Sequence, residues 1–161
     1  MPKTQTISST AAEPDVAAAA AKFLAPVVVG LQALAVNGKQ AHWNVRGAGF
    51  FPLHELLDTV VADAQGWADE AAERIVALGL PVDGRLATVA KEAKATAVPA
   101  GFAKVDAMIA SVVTDIDNVI KDLNDAIDGL DDVDLTSQDV VIGIKGGLEK
   151  DRWFLAAHIS G

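Results

Sequence analysis

The sequence predicts an all-α protein, four long helices packed as a bundle with one short extra helix between the second and third. Three observations carry that expectation. Apolar residues recur at helical spacing through four long stretches. Clusters of Gly and Pro punctuate the chain between those stretches. No stretch alternates with the period of two that a half-buried strand needs.

Residues 1–13 read as a mobile tail, because Met1 to Ala12 is polar, short and rich in Ser and Thr; residues 14–161 read as one domain. Pro14 and Asp15 suit a helix first turn, so the first helix is expected from there to about Trp43 or Val45, with a kink near Pro26. Asn44 to Gly49 breaks it. The second helix is expected over about Pro52 to Leu78, stopped by Gly79 and Pro81. Asp83 and Gly84 open a short helix at about Arg85 to Ala95, and Pro99 to Gly101 breaks the chain again. A third long helix is expected from about Phe102 to Ile127, ended by Gly129. Thr136 with Asp139 resembles a capping box for a last helix, about Ser137 to Ile159. Gly143, Gly146 and Gly147 weaken that helix intrinsically and permit close packing of another. The short connections favour antiparallel neighbours, and the middle link is long enough to cross the bundle.

Composition narrows the function. The net charge of −9 repels nucleic acid and attracts cations. The absence of cysteine excludes disulfides, Cys–zinc sites and thiol nucleophiles. Mean hydropathy is +0.29, high for a soluble monomer, which suits helices that bury more than one face in a subunit assembly. The uncharged run from Phe23 to Asn37 is shorter than a membrane span, and Lys22, Pro26, Gly30 and Gln32 interrupt the apolar stretch around it. Only Lys3 supplies a basic residue at the start, so no signal peptide is expected, and the chain is placed in the cytoplasm.

Two pairs of side chains stand out on the second helix: His54 with Asp58, and Asp69 with Glu73, each four residues apart. At about 100° per residue all four fall within an arc of roughly 100°. At a rise of about 1.5 Å, however, Asp58 and Asp69 lie about 16.5 Å apart along the axis, too far for one metal centre. The residue numbers of His54 and Glu73 add to the same total as those of Asp58 and Asp69. If the helix packs antiparallel on its own copy, a two-fold axis near Asp63 and Ala64 sets His54 beside the partner's Glu73 and Asp58 beside the partner's Asp69. Two identical sites result, each shared by two subunits. Without the matched totals, such pairs on an acidic helix would read as a solvated face.

The segment His42-Trp43-Asn44-Val45-Arg46-Gly47, then Phe50, Leu53-His54-Glu55, Leu57-Asp58, Asp69 and Ala72-Glu73-Arg74, resembles the Dps family, the mini-ferritins named as DNA-binding proteins from starved cells. The order of helices agrees, over about residues 15 to 160, so the fold expected is ferritin-like. The resemblance implies a hollow dodecamer that oxidises Fe²⁺ at two-fold sites, usually with hydrogen peroxide, and stores ferric mineral. It implies an iron site built from His42, His54 and Asp58 of one subunit with Asp69 and Glu73 of its mate. Asp58 and Glu73 would be the main ligands, His42 and His54 would serve a second metal or a bridging water, and Asp69 would complete the shell. Carboxylate and imidazole suit iron. Trp43 becomes a candidate redox-active aromatic as well as a packing residue. Trp67 and Trp153 read as packing or interface residues, and His158, with no acidic partner at helical spacing, as structural or surface.

In that family the stretch between the third and fourth long helices borders an acidic three-fold pore. Asp131, Asp132, Asp134 and Asp139 are the candidates here, although an acidic loop is more often a solvated turn. No Glu-x-x-His motif is present, which disfavours an intrachain di-iron centre. The chain departs from the family in its tails: the N-terminal one offers Lys3 beside Glu13 and Asp15, and nothing basic follows the last helix before Gly161. Weak or absent DNA binding is therefore expected. Three functions compete: an iron-oxidising, iron-storing ferroxidase dodecamer active against oxidative stress, a nucleoid-associated DNA-protection protein, and a metal-dependent acyl or amide hydrolase using the same shared site. Tail charge favours the first over the second, and nothing in the sequence builds a substrate pocket for the third.

Overall fold

A computed structural model describes residues 10–159 of the chain. Helix α1 spans Pro14–Asn44, α2 Phe50–Ala77, α3 Leu86–Glu92, α4 Val105–Leu130 and α5 Leu135–Ala157. The four long helices form the expected bundle, with the short α3 in the link that crosses it. The expected tail lies mostly outside the described residues, but Ala11 N donates to Ala77 O at 2.9 Å, so the chain just before α1 is docked on the end of α2.

Pro14 occupies the first turn of α1 and Asp15 adds a carboxylate where the helix dipole is positive. The helix continues through Pro26, which is exposed. By length and composition α1 would pass for a membrane span, with a hydropathy of 1.8 over its most apolar window. Its apolar side is spent elsewhere: Leu24, Val27, Leu31 and Leu34 are buried in the bundle core with Leu53 and Leu57 of α2, Met108, Ile116 and Leu123 of α4, and Ile144, Leu148 and Leu155 of α5. Each such side chain stabilises the fold by about 1.5–3 kcal/mol relative to leaving it in water.

Several boundaries differ from the expectation, each for a local reason. Helix α2 begins two residues early because Gly49 takes a left-handed conformation (φ 78) that lets the chain turn into it. Gly79 (φ 88) follows its end. Helix α4 begins at Val105, because Ala103–Lys104 instead pairs in parallel with Val45–Arg46 as the two-residue strands β2 and β1. The Arg46 guanidinium also lies 3.0 Å over the Phe102 ring. These contacts tie the start of α2 to the start of α4. Gly129 does not stop α4. A Cβ there would stand 2.2 Å from Phe23 Cε1, so the glycine is where α1 closes on α4. Helix α3 is shorter than expected, as Ala93 is already extended.

The capping box expected from Thr136 and Asp139 does not form. Asp134 is the N-cap of α5, accepting from Ser137 N at 3.3 Å and from the Ser137 hydroxyl. Asp134 also accepts from Arg74 Nη2 of α2 at 2.7 Å, while Arg74 Nε donates to Ser137 Oγ at 2.9 Å. Farther along the same antiparallel seam Trp67 lies against Gly147, where a Cβ would come within 2.2 Å of Trp67 Cζ2. Of the three glycines in α5 only Gly147 has such a neighbour.

Candidate metal centre

His42 is on the last turns of α1 and His54 at the start of α2, and the break between the two helices lets them face each other. Their rings stack with centroids 3.6 Å apart and an interplanar angle of 21°. His42 Nδ1 is 2.8 Å from His54 O, and His54 Nδ1 is 3.0 Å from His42 O. A carbonyl oxygen only accepts, so each Nδ1 carries the hydrogen, and in the neutral ring the free lone pair is the one on Nε2. That is how a ligating histidine is held when its second nitrogen is tied to a backbone carbonyl. His42 is 6% exposed, and Phe50 packs beside His54 with ring centroids 5.1 Å apart.

Asp58, one turn beyond His54, places Oδ1 3.3 Å from His42 Nδ1. Lys39 of α1 donates to the same oxygen. That hydrogen bond, aided by the Lys39 charge, holds the Asp58 carboxyl below the usual carboxylate range. Asp58 is therefore anionic at neutral pH and already carries a cation. Lys39 is the site residue that sequence reasoning missed. It precedes His42 by three positions on α1, and that spacing alone would have placed it on the same face.

The structure gathers His42, His54 and Asp58 and leaves Asp69 and Glu73 apart, exposed more than two turns farther along α2. Among the described residues, no three His, Asp or Glu side chains of one chain group closely enough to hold a metal ion. Trp43 is 64% exposed and lines an open groove between α1 and α2 with Val36, Lys39, Asp58 and Val61.

The acidic stretch before α5 divides. Burial alone would raise the Asp134 carboxyl, but Arg74 and Ser137 outweigh it and hold it low, so this residue is engaged in the fold. Asp131 accepts from Gln138 Nε2 at 3.0 Å. Asp132 and Asp139 are exposed. Trp153 is also exposed, and His158, exposed too, has Nδ1 2.7 Å from Phe154 O.

A helical bundle with a histidine pair at one end of α1 and α2 and carboxylates along α2 defines a ferritin-like protein. The family model for the ferritin-like domain matches residues 24–161. Among solved structures, Dps from Microbacterium arborescens in its high-iron form is 64% identical and superposes with a TM-score of 0.92, covering 96% of this chain and 100% of that one. Dps from Mycobacterium smegmatis is 32% identical with a TM-score of 0.89, over 97% and 96% of the two chains. A DNA protection during starvation protein of Mycolicibacterium smegmatis is 38% identical over 128 residues, 75% of this chain but 66% of the relative's own length. One from Agrobacterium fabrum is 33% identical over 127 residues, 78% of each. This chain belongs to the Dps family of the ferritin-like superfamily.

Proposed function

We propose that this protein is a cytoplasmic ferroxidase and iron store, a homododecamer with iron sites shared across its two-fold axes. The observation that carries the reading is the half-site. His42, His54 and Asp58 stand together with both Nε2 lone pairs preset, while the other acids of the same α2 face, Asp69 and Glu73, lie too far along the axis to help within one chain. A second copy packed antiparallel on α2 supplies them. Exposed Val36 and Trp43 give that contact its apolar surface.

Fe²⁺ is the substrate. Asp58 and the mate's Glu73 bind it by charge. His42 and His54 offer neutral nitrogen donors, Asp69 completes the shell by hydrogen bonding, and Lys39 leaves Asp58 as the metal arrives. Two Fe²⁺ each give one electron to hydrogen peroxide, whose O–O bond breaks and which, with two protons taken up, leaves as two waters; oxygen is the alternative oxidant. Using peroxide and ferrous iron up together limits hydroxyl radical formation, and Trp43, beside His42, is placed to take up a stray electron hole. Asp131, Asp132 and Asp139 are the acids we assign to iron entry, with Asp134 serving mainly as cap and ion-pair partner.

The test is Fe²⁺ oxidation by stoichiometric peroxide on the sized particle, wild type beside Asp58→Ala/Glu73→Ala. Fast oxidation lost in the variant supports the shared site. Equal, slow rates in both would sink it. Binding to duplex DNA is expected to be weak at about 150 mM salt, because a −9 subunit offers no basic cluster for counterion release; a clear gel shift there would overturn that part.

A further inference from the structure

The seam between α2 and α5 holds a charge arrangement that the shared iron site does not use. Trp67 against Gly147 fixes the antiparallel register. One turn away on each helix, that register brings Asp63 of α2 level with Asp151 of α5. Asp151 is 3% exposed, and its Oδ2 is a buried polar atom with no hydrogen-bond partner. Asp63, half-buried, is near enough that its charge acts on Asp151, raising its pKa; Lys150, the neighbour of Asp151 in the chain, acts the other way.

Among the described residues, no cationic side chain is bonded to Asp151. Lys150 is exposed and lies 5.5 Å over the Phe154 ring. Arg152 is held by Asp117 of α4 through bonds of 2.6 and 3.1 Å. A buried carboxylate oxygen with no donor, level with a second carboxylate on the neighbouring helix, lacks the positive partner that buried anions take. We propose that Asp63 and Asp151 bind one hard divalent cation, of the Mg²⁺, Mn²⁺ or Fe²⁺ class, inside each subunit between α2 and α5. The donor set selects that class. It is all oxygen, without imidazole or sulfur, and two carboxylates completed by water are the usual complement for small hard cations. Asp63 is the half-buried member, so the cation enters from its side.

This site is separate from the shared centre. At about 100° per residue, Asp63 and Trp67 lie roughly opposite Asp58 and Asp69 on α2. Both of its ligands also come from one chain, so it fills once per subunit whether or not two-fold contacts form.

The test is an anaerobic Mn²⁺ titration followed by the electron paramagnetic resonance of the free ion. The particle used is Asp58→Ala/Glu73→Ala, so that the shared centre is silent. It is compared with the same particle carrying Asp151→Asn, or Asp63→Asn. We expect one Mn²⁺ per subunit in the first, weakened at least about tenfold by either Asn. Added Mn²⁺ should also raise the melting temperature of the first particle and leave the other two unmoved. Superimposable titrations would overturn the proposal. If Asp151→Asn fails to assemble, Asp63→Asn, at a half-buried position, decides alone.

Discussion

Replacing Asp151 by Asn should stabilise the protein, and only above acid pH. Burial, with Asp63 adding to it, pushes the Asp151 carboxyl up from 3.8 to about 6. A folded-state value above the unfolded one means that the native protein resists ionisation. Below about pH 4 the group is protonated in both states and costs nothing. Between there and about pH 6 the unfolded chain ionises first, so stability falls as pH rises, and above that the loss levels off. A shift of about 2 units corresponds to about 3 kcal/mol at 1.36 kcal/mol per unit. This is an upper value for the gain, because Asn buries an amide in place of the acid. The assay is guanidinium chloride unfolding followed by circular dichroism, from pH 4 to 8, with chelator present and at fixed protein concentration. With a slope of about 5 kcal/mol/M, the variant's midpoint should lie up to about 0.6 M higher at pH 8 and coincide with wild type near pH 4. A gap independent of pH, or a less stable variant at pH 8, would refute the reasoning. Asp63→Asn should recover only part of the effect, since burial is the larger cause.

Asp134→Ala removes the α5 cap and the Arg74 partner together, and should cost about 2 kcal/mol in thermal unfolding at neutral pH. The Asp134 carboxyl is held low, so that loss should shrink as the pH falls through its folded value and wild type protonates as well. In Gly147→Ala, a helix gain of about 1 kcal/mol meets overpacking of about 1–3 kcal/mol against Trp67. The expected result is a net loss of stability and a changed near-ultraviolet signal from Trp67. Asp131→Asn/Asp132→Asn should slow Fe²⁺ uptake in stopped-flow measurements at low salt and converge on wild type at high salt; unchanged uptake at low salt would remove these acids from the entry path.

The number and order of helices were legible because each long element has an apolar stripe, with Gly and Pro breaks between α1, α2, α3 and α4 and an acidic turn before α5. What stayed illegible depends on neighbours remote in sequence. The pairing of Val45–Arg46 with Ala103–Lys104 has no periodicity, being only two residues long. Gly129 has the composition of a stop, and only the Phe23 ring against it shows a packing glycine. Thr136 and Asp139 had the spacing of a capping box, but Asp134 took the cap because Arg74 holds it there. The proposed half-site was readable where its members share a helix, as His54 and Asp58 do. His42 entered through the resemblance. Lys39 went unread because a lysine on a helix face is ordinarily a solvated charge.

The crossed bonds of His42 and His54 have a mechanical meaning. Each imidazole grips the other residue's main chain, so the aim of both rings is slaved to how far α1 has slid along α2. A slip of one residue, about 1.5 Å, would break both grips at once and turn both Nε2 atoms away. The pair works like a vernier on the first hairpin, and only a correctly threaded hairpin turns both nitrogens toward the proposed iron site.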